Sequence, residues 1–156
     1  MAMIIRNYRD SDVQLLWQLY FNTVRKVNSQ HYSPEQVAAW APRHFDPQLW
    51  QARMAALEPF VGEIDGVIVG YTDLQSDGLI DHFFCHHAYQ GCGVGSALMS
   101  HIFKVGKACH ITRYYSNVSI TARGFYELMG FEVVQAQKVQ IRGQTLDNYL
   151  MQKRVE

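Results

Sequence analysis

A glycine-rich segment, Gln90-Gly91-Cys92-Gly93-Val94-Gly95-Ser96, has the residue types in this chain best suited to binding an anion. Glycine lets the backbone approach a ligand closely, because it has no side chain to intervene. The segment follows an apolar run and precedes a helical pattern, so amides of the first helical turn would face the ligand with a partial positive charge. We therefore predict that residues 90–96 bind a phosphate or pyrophosphate group.

The segment matches neither of two common nucleotide-binding patterns. A Walker loop needs a lysine followed by serine or threonine after its glycines, and that pair is missing after Gly95. A dinucleotide-binding fingerprint needs a third glycine where Ser96 stands. Another type of nucleotide-binding enzyme is therefore disfavoured. Taken alone, the segment also fits a strand-to-helix turn that binds nothing.

Several histidines and cysteines precede or interrupt the glycines, which raises the alternatives of a metal site or a reactive thiol. Neighbours along a strand point to opposite faces, and no second group of ligands stands at a zinc-like spacing, so we predict no metal site. Cys92 stands near a predicted helix N-terminus, where a thiol can become acidic, but we expect its backbone to matter more. The metal ligands considered are His82, Cys85, His86 and His87.

Two segments in the right order resemble the paired signatures of the GNAT N-acetyltransferase superfamily. Residues 80–95 (IDHFFCHHAYQGCGVG) resemble its apolar strand followed by a glycine-rich turn, and residues 119–131 (SITARGFYELMGF) resemble its second signature. Ser119 stands where the family often has asparagine, and serine also caps helices well. Residues 31–42 resemble a stretch of one bacterial branch of uncharacterised GNAT proteins.

The resemblance implies that the chain binds acetyl-CoA as co-substrate. Amides of residues 90–96 would hold the pyrophosphate. A strand ending at Phe83-Phe84-Cys85 would be splayed from its neighbour by a bulge and would pair with the pantetheine arm. A backbone amide near Phe84 or Cys85 would stabilise the oxyanion. The remaining cofactor contacts would come from Asn117, Ala122, Phe125 and Tyr126.

Acetyl transfer by direct attack of an amine needs a base for the ammonium and an acid for the departing thiolate. Tyr126 matches the tyrosine of the second signature and is the candidate acid, because a phenol keeps its proton at neutral pH. Asp81 matches the usual position of a carboxylate base, whereas His82 has the better intrinsic pKa, and strand alternation would put the two on opposite faces. Glu63 and Asp73 are weaker candidates, and a water chain is a further alternative.

Three aromatic residues, Tyr20, Tyr32 and Trp40, are candidates for an acceptor pocket, because aromatic rings exclude water and pack against ligands. They fit a hydrophobic core equally well. We predict transfer to a primary amine of a small molecule or a peptide. The alternative is a non-catalytic acyl-CoA-binding module that senses the cofactor or regulates a partner.

The pattern of elements predicts an α/β fold with a mixed, mostly antiparallel central sheet flanked by helices and, from the resemblance, a splayed strand pair for acetyl-CoA. The Asp65-Gly66 pair predicts a hairpin, and Ser33 to Gln36 predicts a capped helix start. The predicted helices cover residues 13–24, 34–40, 47–57, 96–105 and 120–129. The predicted strands cover residues 4–8, 60–64, 67–74, 79–85, 111–118, 131–135, 138–141 and 146–152.

The overall composition limits the classes of partner. The chain has 156 residues, which suits one domain over 1–156, and its 14 basic residues balance 14 acidic ones. This balance gives no reason to expect nucleic acid or a membrane as partner. Three widely spaced cysteines and the lack of an apolar leader predict a reduced, cytoplasmic protein. Edge strands near the C-terminal hairpin would allow a homodimer.

Overall fold

Two antiparallel sheets form the centre of the fold, and the structure, a computed structural model, describes residues 2–156. The first sheet contains, in spatial order, β1 (Met3–Asn7), β2 (Phe60–Ile64), β3 (Val67–Thr72) and β4 (Phe83–Cys85). The second contains β5 (Arg113–Ser119), β7 (Gln144–Arg154) and β6 (Glu132–Ile141). The helices are α1 (Val13–Lys26), α2 (Pro34–Trp40), α3 (Pro47–Leu57), α4 (Val94–Ala108) and α5 (Arg123–Leu128).

Side-chain caps begin α2 and α3 at the positions that the sequence predicted. At α2, the Ser33 hydroxyl accepts from the Gln36 amide at 3.1 Å, while the Gln36 side chain accepts from the Ser33 amide at 2.8 Å. This reciprocal pair is a capping box. At α3, the Asp46 carboxylate accepts from the Gln48 amide at 2.8 Å. All five predicted helices are present, but α4 begins two residues earlier than its apolar pattern indicated and α5 begins three residues later than predicted.

The two sheets meet along a short contact and then diverge. Leu79 forms an isolated parallel bridge with Tyr115, and the Ile80 amide donates to the Tyr115 carbonyl at 2.9 Å. The Ser116 hydroxyl donates to the Ile80 carbonyl at 2.7 Å. Beyond this point β4 pairs with β3, and within residues 2–156 its other side has no strand partner. A gap therefore opens between β4 and β5, as predicted for a splayed strand pair.

The cause of the splay differs from the predicted bulge, because the β3–β4 register runs without a shift over residues 83–85. The carboxylate of Asp73, just after β3, accepts from the His82 amide at 2.6 Å and from the Asp81 amide at 3.1 Å. These bonds hold the chain at the end of β3 and away from β5. They also explain why the strand predicted over residues 79–85 is regular only from Phe83.

The C-terminal hairpin is longer than predicted. The runs 131–135 and 138–141 belong to the single strand β6, which pairs with β7 through a register shift between Val133 and Gln135.

Apolar residues of α1 and α3 pack in one hydrophobic cluster, and those of α4 and α5 pack in a second cluster. Among residues 2–156, no helix has both the length and the apolar character needed to cross a membrane.

Candidate active site

The gap between β4 and β5 opens into a cleft of about 290 Å³. One end of the cleft is formed by the glycine-rich segment and the start of α4, and its sides come from β4, β5 and α5. Cys92 is exposed and its side chain does not line the cleft. The other predicted cofactor-binding residues all line it: Phe83, Phe84, Cys85, Gln90, Gly91, Gly93, Val94, Gly95, Ser96, Asn117, Ala122 and Phe125.

The glycine-rich segment has the backbone geometry of an anion-binding turn. Gly91 and Gly93 have φ angles of +72° and +83°, in the left-handed region that favours glycine. Gly93 caps α4, whose first backbone bond runs from the Ala97 amide to the Gly93 carbonyl at 3.1 Å. The amides of residues 94–96 come before this bond, so they have no acceptor inside the helix. They lie at the end of the cleft and can donate to an anion there.

Gly95 allows a close approach between α4 and α5. A Cβ atom at Gly95 would lie 3.1 Å from the Phe125 ring and 3.7 Å from the Cys85 sulfur. The aromatic ring of Phe125 packs in turn against Phe83, with ring centroids 5.4 Å apart. The absence of a side chain at Gly95 therefore lets α5 form one wall of the cleft directly beside the glycine-rich segment.

The backbone of β4 presents polar groups to the cleft. The His86 amide donates to the Val69 carbonyl at 2.8 Å. Along an antiparallel strand, the backbone N–H and C=O groups of alternate residues point toward the partner strand. Because His86 bonds to β3, the backbone groups of Phe84, two residues earlier, also point toward β3. By the same alternation, Phe83 and Cys85 direct their N–H and C=O groups toward the gap beside β5.

The carbonyl of Cys85 is already bonded, whereas its amide faces the gap. That carbonyl accepts from the Thr23 hydroxyl at 2.9 Å and from the Gln90 side-chain amide at 3.0 Å. The two bonds tie α1 and the glycine-rich segment to the end of β4. Of the two amides predicted to stabilise an oxyanion, Cys85 has the suitable orientation and Phe84 does not.

Tyr126 lies on α5 with its side chain only 2% exposed, and it lines the cleft. Burial raises the pKa of Tyr126 well above 10, and hydrogen bonding with Ser116 opposes this rise only in part. The phenol therefore keeps its proton throughout the neutral range. Its ring packs against Phe131 and Phe83, with centroid distances of 5.0 and 5.7 Å. Tyr126 can act as a rigidly held hydrogen-bond donor.

A second cavity of about 180 Å³ adjoins the cleft. The aromatic residues predicted for acceptor binding, Tyr20, Tyr32 and Trp40, all line it. The Tyr32 hydroxyl donates to the Asp147 carbonyl and accepts from the Ile120 amide at 3.0 Å, so Tyr32 offers mainly its ring. The cleft and the cavity share the lining residues Trp40, Asp81, Phe84, Asn117 and Ser119.

Asp81 and His82 both face the second cavity, and strand alternation does not apply to them because they precede β4. Asp81 is exposed and also lines the cleft, so it stands where the two spaces meet. His82 is 9% exposed, and its Nδ1 lies 3.0 Å from the Tyr71 hydroxyl. Burial lowers the pKa of His82 to about 4, so its ring is neutral at pH 7.

The two weaker candidates for a base lie outside both spaces. Asp73 is fully buried, and burial raises its pKa to about 6. Its carboxylate also accepts from the Gln75 side chain at 2.7 Å, in addition to the two backbone amides that shape the splay. Glu63 forms an ion pair with Arg6 on β1. Neither carboxylate lines the cleft or the cavity.

Comparison with known proteins identifies the family. The model described as "Acetyltransferase (GNAT) domain" matches residues 28–152. The chain belongs to the GNAT family of acetyltransferases. The "Uncharacterized N-acetyltransferase YafP" of Escherichia coli (strain K12) is 34% identical over 147 residues, which cover 94% of this chain and 93% of that protein.

Solved structures confirm the GNAT fold. The "GCN5-Related N-acetyltransferase: Aminotransferase, Class-II" from Rhodopseudomonas palustris superposes with a TM-score of 0.93 at 26% identity, covering 99% of both chains. YncA of Salmonella typhimurium, solved with its cofactor acetyl-CoA, has a TM-score of 0.70 at 22% identity and covers 100% of this chain and 95% of its own. The predicted α/β architecture and the resemblance to the family are thereby confirmed.

In this GNAT protein, several residues that shape the site were not singled out from the sequence. Thr23 has a sequence signal, because it is a polar residue on the apolar face of α1. Asp73 was considered only as a base, although its role in the structure is to hold the chain before β4. Arg53 lines the second cavity from α3, and no local pattern marks it, because its position depends on how α3 packs.

Proposed function

We propose that this N-acetyltransferase transfers the acetyl group of acetyl-CoA to a primary amine of a small molecule or a peptide by direct attack. The observation that carries the proposal is the junction between two spaces: a cleft that begins at the α4 N-terminus and an aromatic cavity that adjoins it at Asp81. Two substrates bound in these spaces would meet at the junction, which supplies the proximity that group transfer requires. Residues 1–156 would act as a single domain.

The residues of the cleft fit acetyl-CoA. Gly91 and Gly93 have open space around them, since no atom lies within 4 Å of a Cβ built on either, and a phosphate can approach their backbone. The amides of residues 94–96 would donate to the pyrophosphate. The outward-facing backbone groups of Phe83 would pair with the amides of the pantetheine arm, as an added strand would, because the Cys85 carbonyl is already bonded to Thr23 and Gln90. The presence of acetyl-CoA in the distantly related YncA supports this assignment.

The chain's contribution to the transfer step would be made by two hydrogen-bond donors. The Cys85 amide would donate to the thioester oxygen as negative charge develops on it. The carbon–sulfur bond breaks as the amine nitrogen bonds to the carbonyl carbon, and the Tyr126 phenol would donate to the departing sulfur. Full ionisation of a buried phenol is unfavourable, so Tyr126 would work chiefly as a donor.

Asp81 is the proposed base, acting directly or through a water molecule. It is a carboxylate at the junction of both spaces, where the ammonium of the acceptor must lose its proton. His82 is the weaker candidate, because it does not line the cleft and its Nδ1 already lies 3.0 Å from the Tyr71 hydroxyl. Burial raises the pKa of Cys85 to about 12, so this thiol stays protonated and does not form a covalent intermediate readily.

The setting of the reaction also belongs to the proposal. The three cysteines are unpaired, which suits a reducing compartment, and we propose the cytoplasm. The outer edge of β6 offers backbone groups that could pair with a second copy of the chain, so a homodimer remains a prediction.

A free-thiol assay with acetyl-CoA and a panel of primary amines tests the proposed activity. We expect one or more amines to release CoA and to gain an acetyl group detectable by mass spectrometry. We expect the Tyr126→Phe variant to lose most of this turnover while binding acetyl-CoA normally. Binding of acetyl-CoA without turnover of any amine would instead support a non-catalytic acyl-CoA-binding module.

A further inference from the structure

The second cavity contains two charged residues that are not paired within the protein. Arg53, on α3, and Asp81 both line it. Within residues 2–156, neither belongs to an ion pair with a nitrogen–oxygen distance of 4.0 Å or less. The third charged residue of the lining, Asp147, is already paired with Lys138 at 2.9 Å. The cavity therefore presents one free cation and one free anion to whatever binds there.

The two charges act on the same buried side chains. The carboxylate of Asp81 raises the pKa of His82, and the guanidinium of Arg53 lowers it. On the pKa of Tyr20, the guanidinium groups of Arg53 and Arg142 have a lowering effect and the carboxylate of Asp81 a raising effect. Since Coulomb interactions weaken with distance, both charges lie near the wall formed by Tyr20 and His82. Both residues also line the cavity, so a ligand bound there would be exposed to both charges.

The guanidinium of Arg53, an exposed residue, lies over an aromatic ring. Its carbon lies 5.4 Å from the centroid of Phe45, and that of Arg142 lies at the same distance. Arg142 differs in that it donates to the Ala39 carbonyl at 2.6 Å and does not line the cavity. Arg53 therefore has donors left for a ligand, and its planar group matches the geometry of a carboxylate.

The rest of the lining is mixed, since aromatic and aliphatic residues share it with His82, Asn117, Ser119, Asp147 and Asn148, and the space is small. The cavity volume of about 180 Å³ is below the range of roughly 300–1,000 Å³ typical of drug-sized ligand pockets. This size suits a compact molecule, and an apolar body would pack against the aromatic and aliphatic part of the lining. The aromatic and aliphatic residues around it are Tyr20, Tyr32, Trp40, Phe84, Val139, Ile141 and Leu146.

We propose that the acceptor is a small molecule with an apolar body, an amine and a carboxylate, as in an amino acid with an apolar side chain. Arg53 would bind the carboxylate. Asp81 lines both spaces, so the amine lies on its side, toward the cleft. Arg53 lines the second cavity but not the cleft, so the carboxylate would lie at the end of the cavity away from the cleft. This inference rests on the proposed function and narrows its substrate class.

Matched pairs of amines that differ in the carboxylate test the inference. L-phenylalanine is compared with phenethylamine and L-phenylalaninamide, and 4-(aminomethyl)benzoate is compared with benzylamine, which varies the spacing between amine and carboxylate. The binding of acetyl-CoA is first measured by calorimetry, and kcat/KM is then measured by thiol release at saturating acetyl-CoA. We expect at least one carboxylate-bearing amine to exceed its counterpart without the carboxylate by about tenfold or more in kcat/KM.

Three variants assign that preference to Arg53. In Arg53→Gln the ratio of kcat/KM between the two members of a pair should fall close to one, and Arg53→Lys should retain part of it. Arg142→Gln is the matched control, because Arg142 lies over the same Phe45 ring without lining the cavity, and its ratio should stay at the wild-type value. Circular dichroism checks that each variant is folded.

The outcomes separate this inference from the proposed function. A kcat/KM for the amines without a carboxylate that equals that of their carboxylate-bearing counterparts would overturn the inference. A ratio that Arg53→Gln leaves unchanged would also overturn it. Normal binding of acetyl-CoA with no turnover of any carboxylate-bearing amine would also overturn it, while leaving transfer to other amines open. Failure to bind acetyl-CoA at all would refute the proposed function itself and the inference with it.

Discussion

The buried imidazole of His82 should make the stability of the protein depend on pH in a way that one substitution reveals. The pKa of His82 is lowered by burial to about 4, against an ordinary value of 6.5. As pH falls from 6.5 to 4, the unfolded chain binds a proton at His82 that the folded chain does not bind. Stability present above pH 6.5 is therefore lost progressively as the pH falls to about 4.

The size of this loss follows from the gap between the two pKa values. A gap of 2.5 units corresponds to about 3 kcal/mol, because one unit is worth about 1.4 kcal/mol. Asp73 acts in the opposite direction. Burial raises its pKa from 3.8 to about 6, so the folded state binds the proton first as pH falls, and this stabilises the fold by about 3 kcal/mol toward pH 4. The two contributions nearly cancel in the wild type.

Replacement of His82 by asparagine removes one contribution and keeps the other. Asparagine retains a polar atom near the Tyr71 hydroxyl but does not titrate, and the carboxylate of Asp73 still accepts the amide of residue 82. The stability of the wild type minus that of His82→Asn should decrease by about 3 kcal/mol between pH 7 and pH 4. The cavity left by the smaller side chain adds a cost that does not depend on pH.

Urea unfolding followed by tryptophan fluorescence measures both proteins at half-unit steps between pH 4 and pH 7.5, with linear extrapolation to water. The three tryptophans report the transition in each protein. Stability curves that stay parallel over this range would refute the reasoning, because His82 would then have the same pKa in the folded and unfolded chains.

Three further predictions concern the cleft and α4. Tyr126→Phe should lower kcat about 100-fold while the Kd for acetyl-CoA stays within about twofold, and an unchanged kcat would exclude Tyr126 as a donor to the leaving group. Gly93→Ala should raise the acetyl-CoA Kd about tenfold in calorimetry, because its φ of +83° strains any other residue, and an unchanged Kd would contradict that role. Gly106→Ala should cost about 1–3 kcal/mol in urea unfolding, because its Cβ would clash with the Tyr114 ring. Gly124→Ala is the control, with nothing within 4 Å, and equal effects of the two substitutions would contradict the packing argument.

Features set by neighbouring residues in the chain could be predicted from the sequence. The capping box of Ser33 and Gln36 lies within a single turn, and Gly91 and Gly93 have their effect through their own backbone angles. The family resemblance rested on two compact segments, residues 80–95 and 119–131. Together these signals were sufficient for the fold and for part of the cleft lining, whereas residues such as Thr23 and Ser116 were not singled out.

Features that depend on contacts distant in sequence could not be predicted in the same way. The strand expected from residue 79 onward is interrupted because the Asp73 carboxylate binds the two amides at residues 81 and 82. No periodicity reveals that a buried carboxylate will compete with a neighbouring strand for these amides. The position of Arg53 likewise depends on the packing of α3, so the charge of the second cavity became visible only in three dimensions.

Calorimetric titration of the purified protein with acetyl-CoA tests most directly the claim that the cleft between β4 and β5 binds this molecule. NAD and pantetheine serve as comparators. Pantetheine has no phosphate, so it tests the contribution of the glycine-rich segment to binding. The account predicts saturable binding of one acetyl-CoA per chain, binding of pantetheine weaker by about tenfold or more because the amides of α4 lose their anion, and no comparable binding of NAD. Absence of acetyl-CoA binding, or equal binding of pantetheine, would contradict it.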